Sequence, residues 1–411
     1  MKRRTFLGYS GASMLLPYLA PGCSSKTTLP DSRHLVATPE KRADYLARLL
    51  KELCTDLGPH PIGSPEYDRA ASIVRREMAL ALPEARLDTF TFERWVLHGE
   101  PEFLIGDMRL ETFPAHGTSG TPEEGLKGVL RKIDDPDGIP YGVVDTASGE
   151  LRAYVTMKDY EKAVPLPYYF FKKPVKSLPT FNIGKQDLPL IEQAVAKSTP
   201  VLVKAIVEFI PDTVTENAVG ILPGESSEEL VFLAHMDTVY NSPGANDNTA
   251  SVIVMLMLAH AVSGVRPKKT LTFIATTGEE YNKLGAIDYV KRRVEEGTLQ
   301  NIRYIVTFDS LTWGPDFRVN SQDKELLHLI ETIDGELNLP GTPILSERDG
   351  FQLDAKPFRE TGARAMYVNS TGYKNDGVWH RPDDTAGSVP VDCVEIGYQM
   401  FHEYIRRICE L

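Results

Sequence analysis

After residue 215 the chain alternates short continuous apolar runs with longer segments whose apolar residues recur at helical spacing. The runs at 230–234, 270–275, 304–308 and 363–368 are bounded by polar loops and read as buried strands. Helices are expected over about 247–263, 284–296, 322–336, 350–360 and 391–409. Strands alternating with helices imply an α/β fold, a mostly parallel sheet covered by helices on both faces. Near the other end, Thr38-Pro39 and Ser64-Pro65 each pair an N-cap with a proline in the first turn, and open two more helices. On the first, Tyr45, Leu46, Leu49, Leu50, Leu53 and Leu57 recur at helical spacing until Gly58. On the second, Ala70, Ile73, Val74 and Met78 share one face.

The middle follows another rhythm. Residues 87–92 and 103–108 read as strands. From about 110 to 215, short apolar runs at 128–130, 142–144, 153–155 and 200–203 alternate with Gly/Pro turns, broken by one helix-like piece at 186–196. This reads as an inserted β-rich domain at 110–215, interrupting a main domain made of 38–109 and 216–411. Its aromatic cluster at 168–171 is read as core or interface.

The first residues belong to neither. Lys2-Arg3-Arg4 precede an apolar stretch over 6–20 that is short and interrupted for a membrane span. Residues 1–23 resemble a twin-arginine export signal ending in a lipoprotein-like Gly22-Cys23-Ser24-Ser25, with Cys23 the lipidated residue and 24–37 a tether. That places the protein outside the cytoplasm, periplasmic or lipid-anchored in a bacterial cell envelope, with membrane attachment through Cys23. Cys54, Cys393 and Cys409 are too few for a disulfide framework, and without a Cys-x-x-Cys they argue against a thiolate metal site. The 411 residues, 42% hydrophobic and 25% charged, suffice for a large core. A net charge of -12 with no basic block beyond the N-terminus argues against nucleic acid as a partner.

Candidate chemistry gathers at the strand ends. The run 230–234 leads into His235 and Asp237, two apart and so on one side of the strand, where the Asp237 carboxylate can orient the imidazole. A Ser242-Pro243-Gly244 turn and Asn246-Asp247-Asn248 follow, setting Asp247 at a loop-to-helix junction by the sheet's carboxyl edge. The run 270–275 ends in Thr276-Thr277-Gly278-Glu279-Glu280, and 304–308 ends in Asp309. The run 363–368 leads through a polar loop to Trp379-His380-Arg381. Taken singly, a helix cap or a solvated helix start explains each. Together they give two histidines and several carboxylates, which suit zinc, or manganese or cobalt. Two metals fit the count: His235 and Asp309 on one, Glu280 and His380 on the other, Asp247 bridging, with Glu279 left as general base. His60 reads instead as part of a loop that packs helices.

His235-x-Asp237, Gly244-Ala245-Asn246-Asp247-Asn248, Glu279-Glu280, Asp309 and His380 together resemble the co-catalytic di-zinc aminopeptidase family, which also contains glutamate carboxypeptidase, glutaminyl cyclase and the transferrin receptor. Pro61-Ile62-Gly63-Ser64 is similar to that family's N-terminal segment, and the insert to a protease-associated domain. The resemblance covers 38–108 and 216–411. It implies a zinc exopeptidase fold, peptide substrates, and the ligand set and base just named. The chain departs from it at Trp379, where many relatives carry an oxyanion-stabilising tyrosine; Tyr373 is the candidate substitute. Lys283 stands where an apolar residue is usual. The leading expectation is an aminopeptidase. A dipeptidase or carboxypeptidase would need a cationic clamp, with Arg348, Arg364 and Arg381 as candidates, and a receptor-like binding module would show eroded ligands.

Overall fold

A computed structural model describes residues 31–167, 177–312, 314, 317–370 and 377–411. The export signal, Cys23, the whole aromatic cluster at 168–171 and Tyr373 lie outside the described residues. In chain order come α1 (Pro39–Leu50), α2 (Pro65–Ala81), β1 (Glu84–Ile105), β2 (Met108–Arg109), β3 (Phe113–Pro114), β4 (Leu126–Lys132), β5 (Tyr141–Val144), β6 (Leu151–Met157), β7 (Thr180–Ile183), α3 (Leu188–Lys197) and β8 (Pro200–Leu222). Then follow β9 (Ser226–His235), α4 (Ala250–Ala261), β10 (Lys269–Thr276), α5 (Leu284–Glu295), β11 (Ile302–Phe308), β12 (Phe317–Asn320), α6 (Lys324–Leu337), β13 (Ile344–Ser346), β14 (Arg364–Ser370) and α7 (Val391–Ile408).

The described strands form one sheet in the order β13-β12-β14-β11-β9-β10-β8-β4-β5-β6-β7-β3, with β1 alongside β8. The four strands β14-β11-β9-β10 are mutually parallel, whereas both flanks bring in antiparallel pairs. A mixed sheet with a parallel centre is what α-helical crossovers produce at the centre and hairpins at the flanks. On one face α1, α2, α4, α6 and α7 bury a large core that includes Leu49, Val74, Phe232, Phe308, Ile330 and Phe401. On the other, α5 and the 3₁₀ segment Leu353–Thr361 cover Val231, Leu233, Ile274 and Ile305. Helix α4 is buried from Ala250 to His260, which explains why its sequence is apolar on every side.

Both proline-opened helices begin as their sequences predict: Thr38 Oγ1 accepts from Lys41 N at 3.4 Å and Ser64 Oγ from Tyr67 N at 3.0 Å. The two strands expected over 87–108 are a single one, β1, paired along its length with β8. Its polar middle is tolerated because most of its residues there are only partly buried. Segment 353–361 is 3₁₀ rather than α-helical, with Pro357 inside it. Residues 31–37, expected as tether, pack on the body instead: Val36 is 1% exposed, and Ser32 Oγ lies 2.6 Å from His260 Nδ1.

Residues 103–205 gather a core of their own around Phe103, Leu130, Val143, Val155, Phe181 and Val203. The long β1–β8 ribbon joins it to the main sheet. Cys54, Cys393 and Cys409 are buried and form no disulfide among the described residues. No helix among the described residues is long and apolar enough to cross a membrane.

Candidate metal centre

Register brings the strand ends level. His235 lies opposite Thr276, Ala234 opposite Phe308, and Phe308 opposite Val368. The residues that follow, Glu279, Glu280 and Asp309, therefore meet His235 at the carboxyl edge of the parallel strands. Asp247 arrives from above. Helix α4 starts only at Ala250 because Asp247 (φ -117°, ψ 85°) and Asn248 (φ -138°, ψ 20°) leave helical dihedrals. The turn before them needs Gly244: at φ +63°, an added Cβ would stand 2.4 Å from Thr238 Cγ2 and 2.6 Å from Asp247 O. His380 enters from the loop after β14 and sits in left-handed conformation at φ 56°.

Asp247 divides its carboxylate between the two histidines. Oδ1 lies 3.3 Å from His235 Nε2 and Oδ2 lies 3.5 Å from His380 Nε2. His380 Nε2 is also 2.9 Å from Glu280 Oε1. His235, Asp247 and Glu280 offer ligand atoms all within 4.8 Å of one another. Asp309, 7% exposed, adds its negative charge to the field on His235. His235, Glu279, Glu280 and His380 are each only 2% exposed.

Each ring is fixed from behind. Nδ1 of His235 is 3.0 Å from Asp237 O, and Nδ1 of His380 is 2.9 Å from Pro165 O. A carbonyl only accepts, so Nδ1 carries the proton in both rings. In a neutral ring Nε2 is then an acceptor, aimed at carboxylate oxygens that also accept. A cation between them resolves the clash. The spacing agrees, since two ligands of one tetrahedral zinc stand roughly 3.3 Å apart. Glu279 Oε1 and Glu280 Oε2, both buried, lack hydrogen-bond partners as well. The donor set therefore fits divalent metal.

The electrostatics carry the same message. Burial disfavours a charged His380, yet Glu280 and Asp247 push its pKa up to about 10. His235 is likewise raised well above its ordinary value, against burial, by Asp247, Asp237 and Asp309. Burial would raise Asp247, but the two histidines hold it far below the usual carboxylate range. Burial keeps the Glu279 carboxyl well above that range, and Lys283, with Nζ 3.5 Å from Oε1, works against it. Such a field is one that bound cations satisfy.

Several supporting residues were not singled out in the sequence. Asp384 accepts from Asn246 N at 2.9 Å, Asn246 Nδ2 at 2.8 Å and Asp247 N at 3.0 Å, and so fixes the backbone of the shared carboxylate. Asn248 donates to Phe308 O and accepts from Ser310 N, both at 2.9 Å, bracketing Asp309. Asn217 accepts from Thr277 N at 3.0 Å and donates to Gly285 O at 2.9 Å, pinning the loop that carries Glu279 and Glu280. Tyr367, partly buried on β14, has its phenol in the field of Asp309, Glu279 and Asp247. His116 is held neutral, its pKa pushed down to about 3 by burial and the positive field of His380. Apart from Asn246 and Asn248, which flank Asp247 in the motif, and Asp384 near His380, nothing in the spacing marks them, because each acts through a long-range contact.

The remaining candidates take these places. The Asp237 carboxylate stands 3.7 Å from His235 Nδ1, and the Asp237 carbonyl is the nearer partner of that ring. The carboxylate accepts from the backbone N–H groups of Glu279 at 3.2 Å and Glu280 at 3.3 Å. Trp379 stacks on His380, centroids 3.8 Å apart, and packs on Val164 and Leu166. His60 Nδ1 bonds Gly58 O at 2.7 Å, a packing role. Arg364 is engaged by Asp323 and Glu325, Arg381 by Glu111 and the Ala163 carbonyl, and Arg348 is exposed.

Comparison with known proteins bears on the same residues. The model of Peptidase family M28 matches residues 217–400, the stretch that holds every ligand candidate. Aminopeptidase YwaD of Bacillus subtilis is 24% identical over 373 residues, covering 84% of this chain and 80% of that protein. Human carboxypeptidase Q is 20% identical over 348 residues, covering 74% of this chain and 72% of the other. The solved structure of BSAP, a zinc aminopeptidase from Bacillus subtilis, superposes with a TM-score of 0.68 at 19% identity, over 89% of this chain and 95% of that one. It shares the fold. Over residues 217–400 the chain is thus similar to Peptidase family M28, and that stretch carries the donor cluster at the sheet edge.

Proposed function

We propose that the protein is an aminopeptidase that removes N-terminal residues from peptides, using two zinc ions. His235 and Asp309 hold one ion in this reading, Glu280 and His380 the other, and Asp247 is shared; manganese or cobalt suits the same donors. The observation that carries it is the split of Asp247 between two histidines whose Nδ1 atoms both face backbone carbonyls. When bound, the metal pair supplies Lewis acidity for the scissile carbonyl and the attacking water.

Glu279 performs the proton transfer. Its Oε1 is buried beside the ligand Glu280 and without a hydrogen-bond partner, free to take a proton from water and pass it to the leaving amine. Lys283 favours the ionised form that the first transfer requires. Asp237 positions the Glu279–Glu280 backbone, and Trp379 holds the His380 ring rather than an oxyanion. We assign 110–215 to a module that flanks this cleft. The N-terminal motifs support export by 1–23, envelope location and attachment through lipidated Cys23.

The aminopeptidase reading draws on YwaD, of which the chain covers 80%. A dipeptidase or carboxypeptidase reading draws on human carboxypeptidase Q, of which the chain covers 72%. The test is to purify the protein, quantify its zinc, and compare free with N-acetylated aminoacyl anilides, with Glu279→Gln as control. Cleavage of the free-amine substrates alone, abolished in the variant with zinc retained, is the expected result. Cleavage confined to dipeptides or C-terminal residues transfers the assignment to the second reading. Absence of zinc and of all cleavage defeats both.

A further inference from the structure

The two histidines of the metal centre are supported in different ways. His235 takes its Nδ1 partner from Asp237, two residues along the same loop. His380 takes its partner from Pro165, in the middle part of the chain, 215 positions away. The short segment that presents Pro165 is held by several contacts. Arg381 donates to Ala163 O at 2.6 Å and makes a bidentate pair with Glu111, at 2.9 and 3.1 Å. Val164 and Leu166 pack on Trp379, which stacks on the His380 ring. Leu166 O accepts from His116 N at 3.0 Å.

We propose that this segment and its Arg381–Glu111 latch belong to the metal centre: they set the affinity of the half that contains His380 and Glu280, and leave the His235 half untouched. The inference rests on the two-zinc reading above. Its physical basis is twofold. A ligating imidazole needs its other nitrogen fixed, and loss of such a partner commonly lowers metal affinity by about 10–100-fold. His380 is also left-handed, at φ 56°, a conformation that persists in a non-glycine residue when its surroundings hold it there. Arg381 is 6% exposed, and removing Glu111 leaves Asp383, 3.6 Å from Nε, as its remaining carboxylate, so the bidentate hold is lost and the segment is freed to shift. Glu111, Ala163 and Pro165 are positioning residues: they act through His380.

The decisive comparison is zinc affinity in Glu111→Ala and Arg381→Lys, measured by competition with a chromophoric chelator against the wild-type protein. Lysine keeps the charge but lacks the planar fork that reaches Glu111 and Ala163 O together. The expected result is one zinc weakened by about 10–100-fold and the other within about twofold, with metal-free unfolding midpoints close to wild type. Glu111→Ala added to His380→Ala should then have no further effect on the remaining zinc, since both act on one site. Two zincs at wild-type affinity in both variants overturn the inference and leave the aminopeptidase reading standing. Equal weakening of both zincs overturns it too, by pointing to general loosening. A wild-type protein that binds fewer than two zincs overturns the two-zinc reading and the inference with it.

Discussion

His235 and His380 lie on opposite sides of one carboxylate and have the same task in the two-zinc reading, yet the molecule supports them by different means. His235 is the last residue of β9, flanked by β10 and β11, and its ring is fixed by its own loop. His380 sits on a turn, and its supports come from residues 111, 160–166 and 241. One half of the site is made rigid by the sheet that carries it. The other is assembled from segments distant in sequence, held by the pair between buried Arg381 and exposed Glu111 and by a stacked tryptophan. The first arrangement is insensitive to what happens in the middle of the chain, whereas the second transmits it.

The largest effect removes chemistry without touching either half. Glu279→Gln keeps the shape and eliminates the base, so kcat should fall by about 10²–10⁴-fold with both zincs retained. Single-turnover kinetics beside metal analysis reads this out, and an unchanged kcat would transfer the proton work to another group. Next come the halves themselves. His235→Ala and His380→Ala should each cost one zinc. The comparison predicts that only the His380 variant becomes indifferent to changes at Glu111. Equal sensitivity in the two backgrounds would erase the distinction.

The legible part of the site was the part the sheet organises. Each apolar run ends in a ligand candidate, and parallel strands deliver such ends to one edge, so His235, Glu279, Glu280 and Asp309 were visible as a group. The strand and helix rhythm after residue 215 was visible for the same reason, as were the proline-opened helices. What stayed hidden is what depends on long-range contact. Pro165 bears no chemical mark, yet its carbonyl faces His380 Nδ1. The Asp237 carboxylate sits at the right spacing to orient His235, but the neighbouring carbonyl is nearer, and the carboxylate faces the Glu279–Glu280 backbone. The β1–β8 ribbon was read as separate strands because its polar middle hides continuous pairing.

Trp379 offers a smaller perturbation of the weaker half. It is 4% exposed, stacked on His380 and packed on Val164 and Leu166. Trp379→Ala should destabilise the protein by about 3 kcal/mol through the cavity it leaves. It should also raise the release rate of one zinc, because it removes the ring that braces His380. Thermal unfolding and chelator-driven zinc release test the two consequences separately. A stability loss with both zincs released at wild-type rates would confine Trp379 to packing.

The smallest effect probes the sheet-supported half through pH. Glu216 on β8 precedes Asn217, which pins the Glu279 loop, and burial, helped by Asp68, pushes its pKa up to about 7. An unfolded glutamate titrates near 4.5. Below that value both states are protonated and the group contributes nothing to the pH dependence. Between there and about 7 the folded protein keeps a proton that the unfolded chain has lost, so stability falls as pH rises, and stays lower above 7. Glu216→Gln removes that penalty. Relative to wild type it should gain on the order of 2 kcal/mol at pH 8 and little at pH 4. Denaturant unfolding at the two pH values measures the difference, and an equal gain at both would mean that shape, not charge, is at issue. Because Glu216 is next to Asn217 on β8, whose bonds go to the loop of Glu279 and Glu280, the substitution should leave the response of His380 to Glu111→Ala intact. A changed response would show that the sheet and the latch are coupled after all, and that the two halves are supported as one.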